Sequence, residues 1–449
     1  MFLKTWRRCV NLFIACCLVL GITPSSMTAA SATTLAAPAA KADTWTLKDG
    51  DILSYPKGLG DSRAFTRTLI KAIKQTRKGA KIAVSTYAIS DMAVVEPLVE
   101  AKKKRGVIVQ FTTWTKGANA TETSRKVAKA LKKALGDISG AKTKKLVKDK
   151  AASKSYYMAC RGSCYVDGKD KAAQHFKGVT ISELKTPSGQ ILRNVSFLTS
   201  ANLSKAAVNK SWNHAYVMVN RSKIYNALRS YMLGMRYDRT KRNFPVVTDG
   251  PYTLYLYPQA KVVNPIASTL KQVEQAKCAA GKGYGNGKGK AVIRIFVHYW
   301  TAPEYKAAVQ VARLSHKYKC DIAVIVSRKT ARRGVVKRLL FVKNKKGKFT
   351  VRSGVRVYDA YQSKSGAYAH NKDWAFSGKL GKGKKAKNVN LLYTGSANMT
   401  ETARARNTDV TLAVRGTEGA VSVANTLRFF NQVAKVSKLM TTYKSLPKR

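Results

Sequence analysis

Acidic residues are scarce in this sequence. Its 449 residues include 23 Asp and Glu against 83 Lys and Arg, which gives a formal net charge of +60. Solubility alone requires far less charge. The imbalance therefore predicts an anionic partner, such as nucleic acid, phospholipid headgroups or acidic wall polymers. Apolar residues make up 45% of the chain, so we expect a sizeable folded core rather than general disorder.

Long apolar runs are also missing, except near the N-terminus. There, three basic residues precede an apolar stretch over 9–22, which at about 14 residues is too short to span a bilayer comfortably. Small residues with Ala-x-Ala patterns follow at 30–32 and 40–42. This order is typical of a secretory signal peptide. We therefore expect residues 1–42 to be a signal peptide with a short linker, and the mature protein to be secreted.

Cysteine is sparse as well. Three of the seven cysteines fall in the predicted signal peptide, which leaves Cys160, Cys164, Cys278 and Cys320. An even number in an exported protein predicts two disulfides, and pairing Cys160 with Cys164 and Cys278 with Cys320 is the simplest of the three possibilities. The alternative is a metal site made by Cys160, Cys164 and His175. No second pair of ligands stands at metal-binding spacing, so we predict no metal and no cofactor.

What the chain does contain is a repeated order of predicted elements. Each half has a β-branched, apolar strand, then a helix, then a second strand, which favours a parallel sheet. The predicted strand, helix and strand are 80–89, 91–106 and 107–114 in the first half, and 291–300, 303–319 and 320–327 in the second. We place the boundary near 245–255, with a first repeat over 43–249 and a second over 250–449.

Each half then carries the same polar motif. Only two of the five histidines are followed two residues later by lysine, at 175–177 and 370–372. A Ser-Ala-Asn follows each of them, at 200–202 and 396–398. The two histidines are 195 residues apart and the two asparagines 196, so chance agreement is improbable. The other three histidines lack the lysine, and we interpret them as structural or surface residues.

One His, one Lys and one Asn in each repeat suit the chemistry of a phosphodiester. An imidazole can attack phosphorus as a nucleophile or protonate the leaving oxygen as a general acid. The lysines can neutralise the nonbridging phosphate oxygens, and serine and asparagine supply further donors. Two copies face to face would place a nucleophile on one side of the phosphate and an acid on the other. In-line displacement requires that geometry, and it does so without a metal.

This arrangement resembles the phospholipase D superfamily, whose signature is a duplicated His-x-Lys-x4-Asp followed by Gly-Ser-x-Asn. The resemblance covers nearly the whole mature chain. It implies an α/β fold in which two phospholipase D-like repeats form an α/β/α sandwich with pseudo-two-fold symmetry and an active site between the lobes. It also implies a covalent phosphohistidine intermediate, with His175 as the nucleophile and His370 as the acid. The residues that it implies for holding the phosphate are Lys177, Lys372, Asn202 and Asn398, assisted by Ser200 and Ser396.

Two departures from the signature concern its Asp. Ser182 and Ser377 stand where the signature has that residue. In the family the Asp is mainly structural, so we still expect catalysis. The loss nevertheless motivates an alternative hypothesis, a catalytically inactive protein that binds anions.

A further family feature is an acid about eleven residues after the motif asparagine, which orients an imidazole. Asp409 has this position in the second repeat, and we expect it to orient His370. The first repeat has Asn213 eleven residues after its asparagine, or Ala215 if Asn213 is matched to Asn407. No carboxylate partner for the first-repeat histidine is therefore evident, unless an acid comes from elsewhere.

The sequence leaves the substrate open. The leading hypothesis is a secreted, monomeric phosphodiesterase that hydrolyses or transphosphatidylates phospholipid headgroups at an anionic membrane surface. The first alternative is a secreted, metal-independent nuclease of the same superfamily, because the +60 charge suits DNA or RNA equally well. Choline release from phosphatidylcholine and nicking of plasmid DNA distinguish these two hypotheses. Tight binding without turnover would indicate the inactive anion-binding protein.

Overall fold

The structure is a computed structural model that describes residues 44–139, 153–166, 172–261, 264–328, 330–444 and 446. The predicted signal peptide lies outside these residues. Among the helices so described, none combines the length and the apolar character needed to cross a bilayer.

Helices and strands alternate along most of the chain. The helices are α1 (Ala64–Lys74), α2 (Met92–Arg105), α3 (Thr115–Ala118), α4 (Glu122–Leu135), α5 (Lys205–Lys210), α6 (Ser222–Gly234), α7 (Pro265–Gln275), α8 (Tyr305–Tyr318), α9 (Arg333–Leu340), α10 (Glu401–Ala405) and α11 (Gly416–Lys435). The strands of the first half are β1 (Gly50–Ser54), β2 (Lys81–Thr86), β3 (Ile108–Trp114), β4 (Tyr156–Cys160), β5 (Gly178–Lys185), β6 (Ile191–Thr199) and β7 (Ser211–Met218). Those of the second half are β8 (Val247–Asp249), β9 (Tyr252–Tyr257), β10 (Val292–Val297), β11 (Asp321–Val326), β12 (Phe341–Lys343), β13 (Phe349–Arg352), β14 (Arg356–Asp359), β15 (Tyr368–Ala369), β16 (Lys372–Leu380), β17 (Lys387–Gly395), β18 (Asp409–Val414) and β19 (Lys438–Leu439).

The first sheet runs in the order β1-β7-β6-β5-β2-β3-β4. Strands β2, β3 and β4 are parallel, as the strand–helix–strand pattern predicts, and the remaining pairs are antiparallel. Helix α2 makes the first crossover. It begins after Asp91, whose carboxylate accepts the backbone N–H of Ala93 at 3.3 Å, and it ends at Gly106 with φ of 61°. A capping carboxylate and a left-handed glycine are the usual signals for these two ends.

The second sheet runs in the order β19-β14-β11-β10-β16-β17-β18-β9-β8. Its predicted strand–helix–strand unit is β10, α8 and β11, with the two strands parallel. Strands β12 and β13 form a separate hairpin. The predicted boundary after residue 249 falls between β8 and β9, which both belong to this sheet. The change from one sheet to the other therefore precedes that boundary.

The two sheets have matching registers. Ser85 of β2 pairs with Gly178 of β5, and Phe296 of β10 pairs with Asp373 of β16. Gly178 and Asp373 are separated by 195 residues, as are the two motif histidines. The register thus gives residue-by-residue equivalence between the lobes, and the predicted two-repeat α/β fold is confirmed.

The lobes share a core. Phe176 and Tyr216 of the first lobe lie in one buried cluster with Leu254 and Val410 of the second. Helix α6 packs on β2 and β6 of the first sheet and on β9 of the second, while α11 packs on β1 and also on β16 and β17. Each of these helices therefore contacts both sheets, which stabilises the lobes against each other through apolar burial.

The four cysteines beyond the predicted signal peptide form two disulfides. Cys160 is bonded to Cys164 at the end of β4, and Cys278 after α7 is bonded to Cys320 before β11. The predicted local pairing is confirmed. The alternative metal site is wrong, because the sulfurs of Cys160 and Cys164 are joined and cannot act as thiolate ligands.

Candidate active site

Each motif histidine is held at the lobe interface by the backbone of the opposite lobe. His175 precedes β5, and its backbone N–H donates to the carbonyl of Thr408 at 3.0 Å. His370 follows β15, a strand of the second half that pairs in parallel with β7. Its backbone N–H donates to the carbonyl of Trp212 at 3.2 Å. The two histidines therefore meet at one interface because their flanking segments cross between the lobes.

The side chains of the histidines cross in the same way. The Nδ1 of His175 lies 2.9 Å from an oxygen of Asp409, and the Nδ1 of His370 lies 2.9 Å from the Oδ1 of Asn213. The expectation that Asp409 orients His370 is therefore wrong. Segments that cross between the lobes bring each histidine beside the orienting residue of the other repeat. His175 has the carboxylate partner, and His370 has a neutral amide.

These partners determine which ring nitrogen carries the proton. The Nδ2 of Asn213 donates to the carbonyl of Ala207 at 3.2 Å and to the carbonyl and hydroxyl of Ser211 at 3.0 and 2.9 Å. Its Oδ1 is therefore an acceptor, so Nδ1 of His370 donates. The carboxylate beside His175 fixes the same tautomer there. Neither Nε2 has a hydrogen-bond partner among the described residues, so both are available to a substrate.

The two motif serines hold the orienting residues. Ser200 Oγ donates to Asn213 at 3.1 Å, and Ser396 Oγ donates to Asp409 at 2.6 Å. Ser200 Oγ also accepts the backbone N–H of His214 at 3.0 Å, and Ser396 Oγ accepts that of Val410 at 3.1 Å. This matched pattern makes Asn213, and not Ala215, the counterpart of Asp409. The hydrogen bonds support a positioning role for both serines rather than the expected direct contact with substrate.

The two motif lysines are buried next to the histidines. Lys177 and Lys372 are 1% and 4% exposed, and each Nζ donates to the carbonyl of the histidine two residues earlier. Burial lowers the pKa of Lys177 to about 7, although the charge of Asp409 opposes the shift. Burial and the charge of Lys177 lower the pKa of Lys372 well below its usual value. A buried ammonium group needs a nearby anion to stay charged, and a phosphate group would provide one for both lysines.

Both histidines are neutral in the site at neutral pH. Burial lowers the pKa of His175 to about 4, opposed by Asp409 and reinforced by Lys177 and Lys372. Burial lowers the pKa of His370 well below its usual value, reinforced by both lysines. A neutral imidazole with a free Nε2 is the nucleophilic form of histidine.

The motif asparagines lie in the loops that follow β6 and β17. The Oδ1 atoms of Asn202 and Asn398 are buried and have no hydrogen-bond partner in the described part of the chain. Buried amide atoms are nearly always paired, but an amide oxygen only accepts and so cannot bind a phosphate oxygen. In the predicted phosphate-holding set, the Nδ2 groups of these two asparagines would be the donors.

The two serines at the expected positions of the signature Asp do not contact the histidines in the described part of the chain. Ser182 Oγ accepts the backbone N–H of Lys81 at 2.9 Å, and Ser377 Oγ accepts that of Gly285 at 2.9 Å. Each serine thus fixes a neighbouring segment of backbone. Their contacts are structural, so the substitution leaves the candidate catalytic groups in place.

Two aromatic residues lie beside the motifs, although the sequence did not single out Tyr87 and His298 was interpreted as a structural or surface residue. The ring centroid of Tyr87 lies 5.4 Å from that of His175, and the ring centroid of His298 lies 4.5 Å from that of His370. Tyr87 directly follows β2 and His298 directly follows β10, so the two are equivalent. Their position after the first strand of each repeat was a signal, but a tyrosine and a histidine do not match as a repeated motif.

Behind the site lies a buried ionic cluster. His214 contacts Asp51 through Nε2 at 2.9 Å and Asp373 through Nδ1 at 3.1 Å, and all three side chains are at most 1% exposed. Burial opposes a charge on His214, but Asp373 and Asp51 outweigh it and raise its pKa to about 10. The cluster links the first lobe to β16, next to Lys372. The sequence-based interpretation of His214 as a structural residue agrees with these contacts.

Solved structures of other proteins resemble this fold. Phosphatidylserine synthase from Haemophilus influenzae Rd KW20 matches 88% of this chain over 91% of its own, with a TM-score of 0.50 and 10% identity. Polyphosphate kinase from Porphyromonas gingivalis matches 86% of this chain with a TM-score of 0.48 and 12% identity, and this chain spans 50% of its length. Nuc from Salmonella typhimurium, a phospholipase D family member, matches 42% of this chain and 96% of its own, with a TM-score of 0.29 and 18% identity. No family model and no curated protein matches the sequence.

The likeness to the phosphatidylserine synthase and the matched registers of the two sheets describe the same fold. The two lobes carry equivalent strands, and the two His-x-Lys motifs meet at the interface between them. The chain has a two-lobed α/β fold like that of this phosphatidylserine synthase.

Proposed function

We propose that the protein is a secreted phosphodiesterase of phospholipase D type, which hydrolyses phospholipid headgroups or transfers them to an alcohol through a phosphohistidine intermediate. One observation carries the proposal. Two imidazoles from opposite lobes are fixed through Nδ1 by Asp409 and Asn213, so that each presents a free Nε2 beside two buried lysines. The +60 net charge supports binding to an anionic membrane surface.

The partner of each histidine supports the assignment of the nucleophile. When Nε2 of His175 forms a bond to phosphorus, its ring becomes positively charged. Asp409 lies 2.9 Å from Nδ1 of that ring and stabilises the charge. Asn213 offers His370 no negative charge, so the same step would be less favourable there. His175 is therefore the nucleophile in this proposal.

His370 completes the reaction on the other side of the phosphate. Binding of the phosphodiester anion favours uptake of a proton from solvent on Nε2 of His370. The leaving oxygen takes that proton as its bond to phosphorus breaks. In the second step, water or an alcohol gives a proton back to this side and attacks phosphorus, and the bond to His175 breaks. The acid of the first step is thus the base of the second.

Lys177 and Lys372 supply the positive charge that the phosphate requires. Burial holds the pKa of both ammonium groups down, and a bound phosphodiester anion favours their charged forms. Preorganised cations in a buried site stabilise the charge that develops on the nonbridging oxygens. Binding of substrate and protonation of the lysines are therefore coupled.

A second candidate function is a metal-independent nuclease. Lys116 Nζ lies 5.7 Å from the ring centroid of Trp114, and the Arg332 guanidinium lies 5.7 Å from that of Tyr299. Trp114 ends β3 and its ring centroid lies 4.9 Å from that of Tyr87, while Tyr299 follows His298 after β10, so both aromatic rings lie near the candidate site. Aromatic rings with adjacent cations are a usual platform for single-stranded nucleic acid, and the net charge is compatible with this substrate.

The test is turnover with a trapped intermediate. The purified mature protein is incubated with EDTA and either phosphatidylcholine vesicles or plasmid DNA, then quenched in alkali and analysed by peptide mass spectrometry. We expect choline release and a peptide in which His175 carries the phosphatidyl group, or its glycerophosphoryl remnant after the alkaline quench. Nicking of DNA without choline release would transfer the proposal to the nuclease. Tight, salt-sensitive binding without any turnover would leave only the inactive anion-binding protein.

A further inference from the structure

His298 is a third imidazole in the candidate site, and the His-x-Lys motif does not include it. Its ring centroid lies 4.5 Å from that of His370 and 5.5 Å from that of Tyr368. The side chain is only partly buried, whereas His370 is 6% exposed. His298 is therefore more accessible to solvent than the neighbouring His370.

The contacts of His298 fix its ring in one tautomer. Its Nδ1 lies 2.8 Å from the carbonyl of Ala369, which can only accept, so Nδ1 carries a proton. The backbone N–H donates to the carbonyl of Asn371 at 2.9 Å, and the backbone carbonyl accepts from Thr330 Oγ1 at 2.6 Å. The Nε2 of His298 has no hydrogen-bond partner within the described residues. It is thus a second free imidazole nitrogen next to that of His370.

The two lobes differ at this position in a consistent way. The first lobe places Tyr87 beside a histidine that has a carboxylate partner, and the second places His298 beside a histidine that has an amide partner. Without a carboxylate, His370 alone is poorly suited to hold a proton. A second imidazole on that side can take part of the charge.

We infer that His298 is a catalytic residue, which shares with His370 the proton that the leaving group takes. The inference rests on the proposed phosphodiesterase function and deepens it. In the first step, Nε2 of His175 bonds to phosphorus, the bond from phosphorus to the leaving oxygen breaks, and that oxygen receives the shared proton. In the second step, the attacking water or alcohol returns one proton to the pair. The neutral pair takes up the first proton from solvent when the phosphodiester anion binds, and gives up the returned proton when the product leaves, so no other reactant is needed.

The surroundings of His298 determine how the pair titrates. The groups whose charges or rings face it are His370, Tyr368, Tyr299, Lys372, His175 and Lys177. Burial, reinforced by Lys372, lowers the pKa of His298 well below its usual value. A bound phosphodiester anion opposes the two lysines and favours the proton on the pair.

The test removes Nε2 and keeps the rest of the side chain's role. In His298→Asn, the amide nitrogen can still donate to the carbonyl of Ala369, but the second nitrogen is absent. The matched control is His316→Asn, on the outer helix α8, where Nδ1 contacts only the carbonyl of Arg352 at 3.2 Å. Both variants are compared with the unmodified protein by thermal unfolding and by kcat/KM.

Two phosphatidyl esters that differ only in their leaving group distinguish a loss of proton transfer from structural damage. Phosphatidylcholine releases an alkoxide that requires a proton, whereas phosphatidyl-p-nitrophenol releases an anion that does not. For His298→Asn we expect kcat/KM to fall about 100-fold on the first substrate, the low end of acid–base contributions, and to change little on the second. Added free imidazole should restore part of the loss. If nucleic acid is the substrate, a dinucleotide and a nucleotide p-nitrophenyl ester serve as the pair.

The outcomes separate this inference from the proposed function. An equal loss of kcat/KM on both substrates, or no loss on either, overturns the catalytic role of His298. The phosphodiesterase proposal still stands in that case, provided that the unmodified protein turns over the substrate. A His298→Asn variant that does not fold is replaced by His298→Gln, for which the same two outcomes apply. No turnover of any phosphodiester by the unmodified protein overturns both proposals.

Discussion

Nδ1 of His175 in the first lobe donates its proton to the carboxylate of Asp409 in the second lobe over 2.9 Å. The reverse contact, from His370 to Asn213, has the same length but a neutral acceptor. Each candidate catalytic histidine is thus oriented by the lobe that does not carry it. The site is complete only when both repeats are packed together, and its two halves are chemically unequal.

The first prediction concerns the two histidines as a pair. His175→Ala and His370→Ala should each abolish turnover, with a loss of at least about 1000-fold in kcat, because displacement requires both a nucleophile and an acid. The phosphorylated intermediate should be absent from His175→Ala. Choline release and peptide mass spectrometry measure the two effects. Near-normal turnover in either variant would contradict the paired mechanism.

The second prediction removes the charge beside the nucleophile. In Asp409→Asn, the amide oxygen can still accept from His175, so the ring should keep its orientation while the stabilising charge is lost. We expect kcat to fall about 10- to 100-fold, because the positive charge that forms on the ring of His175 loses the carboxylate that stabilises it. Since Asp409 raises the pKa of His175, its loss should lower that pKa further below about 4. Ser396→Ala, which removes only the hydroxyl that donates to Asp409, should cost less, and an equal loss would indicate that orientation rather than charge matters.

The third prediction concerns a variant in which both candidate catalytic histidines have a carboxylate partner. Asn213→Asp places a carboxylate beside His370, which should raise the pKa of that imidazole and hold its proton to higher pH. The alkaline limb of kcat/KM should therefore move to higher pH. The new carboxylate would face the carbonyls of Ala207 and Ser211, which now accept from the amide, so stability should fall by about 1–3 kcal/mol. An unchanged pH profile in a folded variant would argue against an acid role on this side of the site.

The sequence was sufficient to predict the duplication but not the pairing across it. The constant offset between 175–177 and 370–372 reflects equivalent strands, and a repeated pattern reveals equivalence directly. An eleven-residue spacing identifies Asp409 as an orienting acid, but it carries no information on which imidazole lies within reach. That depends on packing between the lobes, where β15 joins the sheet of the opposite repeat.

The buried cluster behind the site was beyond sequence analysis for a related reason. Asp51, His214 and Asp373 come from three distant strands, and no local pattern connects them. The strand registers identify the residues at the equivalent positions of the opposite repeat. Leu254 corresponds to Asp51, Val410 to His214 and Gly178 to Asp373. The cluster is therefore ionic at one set of positions and apolar at the equivalent set, although the backbone pairing is the same at both.

The last prediction is the pH dependence of stability that this cluster confers. The pKa of His214 is raised to about 10, above the value of about 6.5 for an unfolded chain. Its contribution is therefore fully present below about pH 6.5 and is lost as pH rises toward 10. Burial opposes ionisation of Asp51, but His214 outweighs it and lowers the pKa of this carboxyl. That contribution is present above the unfolded pKa of Asp and is lost on acidification.

Variants that introduce the apolar residues of the equivalent positions separate the contribution of the ionic interactions from that of packing. His214→Val alone leaves Asp51 and Asp373 buried without their cation, and should reduce the free energy of unfolding by about 3–5 kcal/mol. Adding Asp51→Leu and Asp373→Gly copies the residues of the equivalent positions and should recover most of that loss, because replacing a whole buried ionic group is often neutral. Urea unfolding at pH 7 and pH 9.5 measures both effects. The alkaline loss of stability should be smaller in the triple variant than in the unmodified protein, and an identical loss would assign the pH dependence to groups outside the cluster.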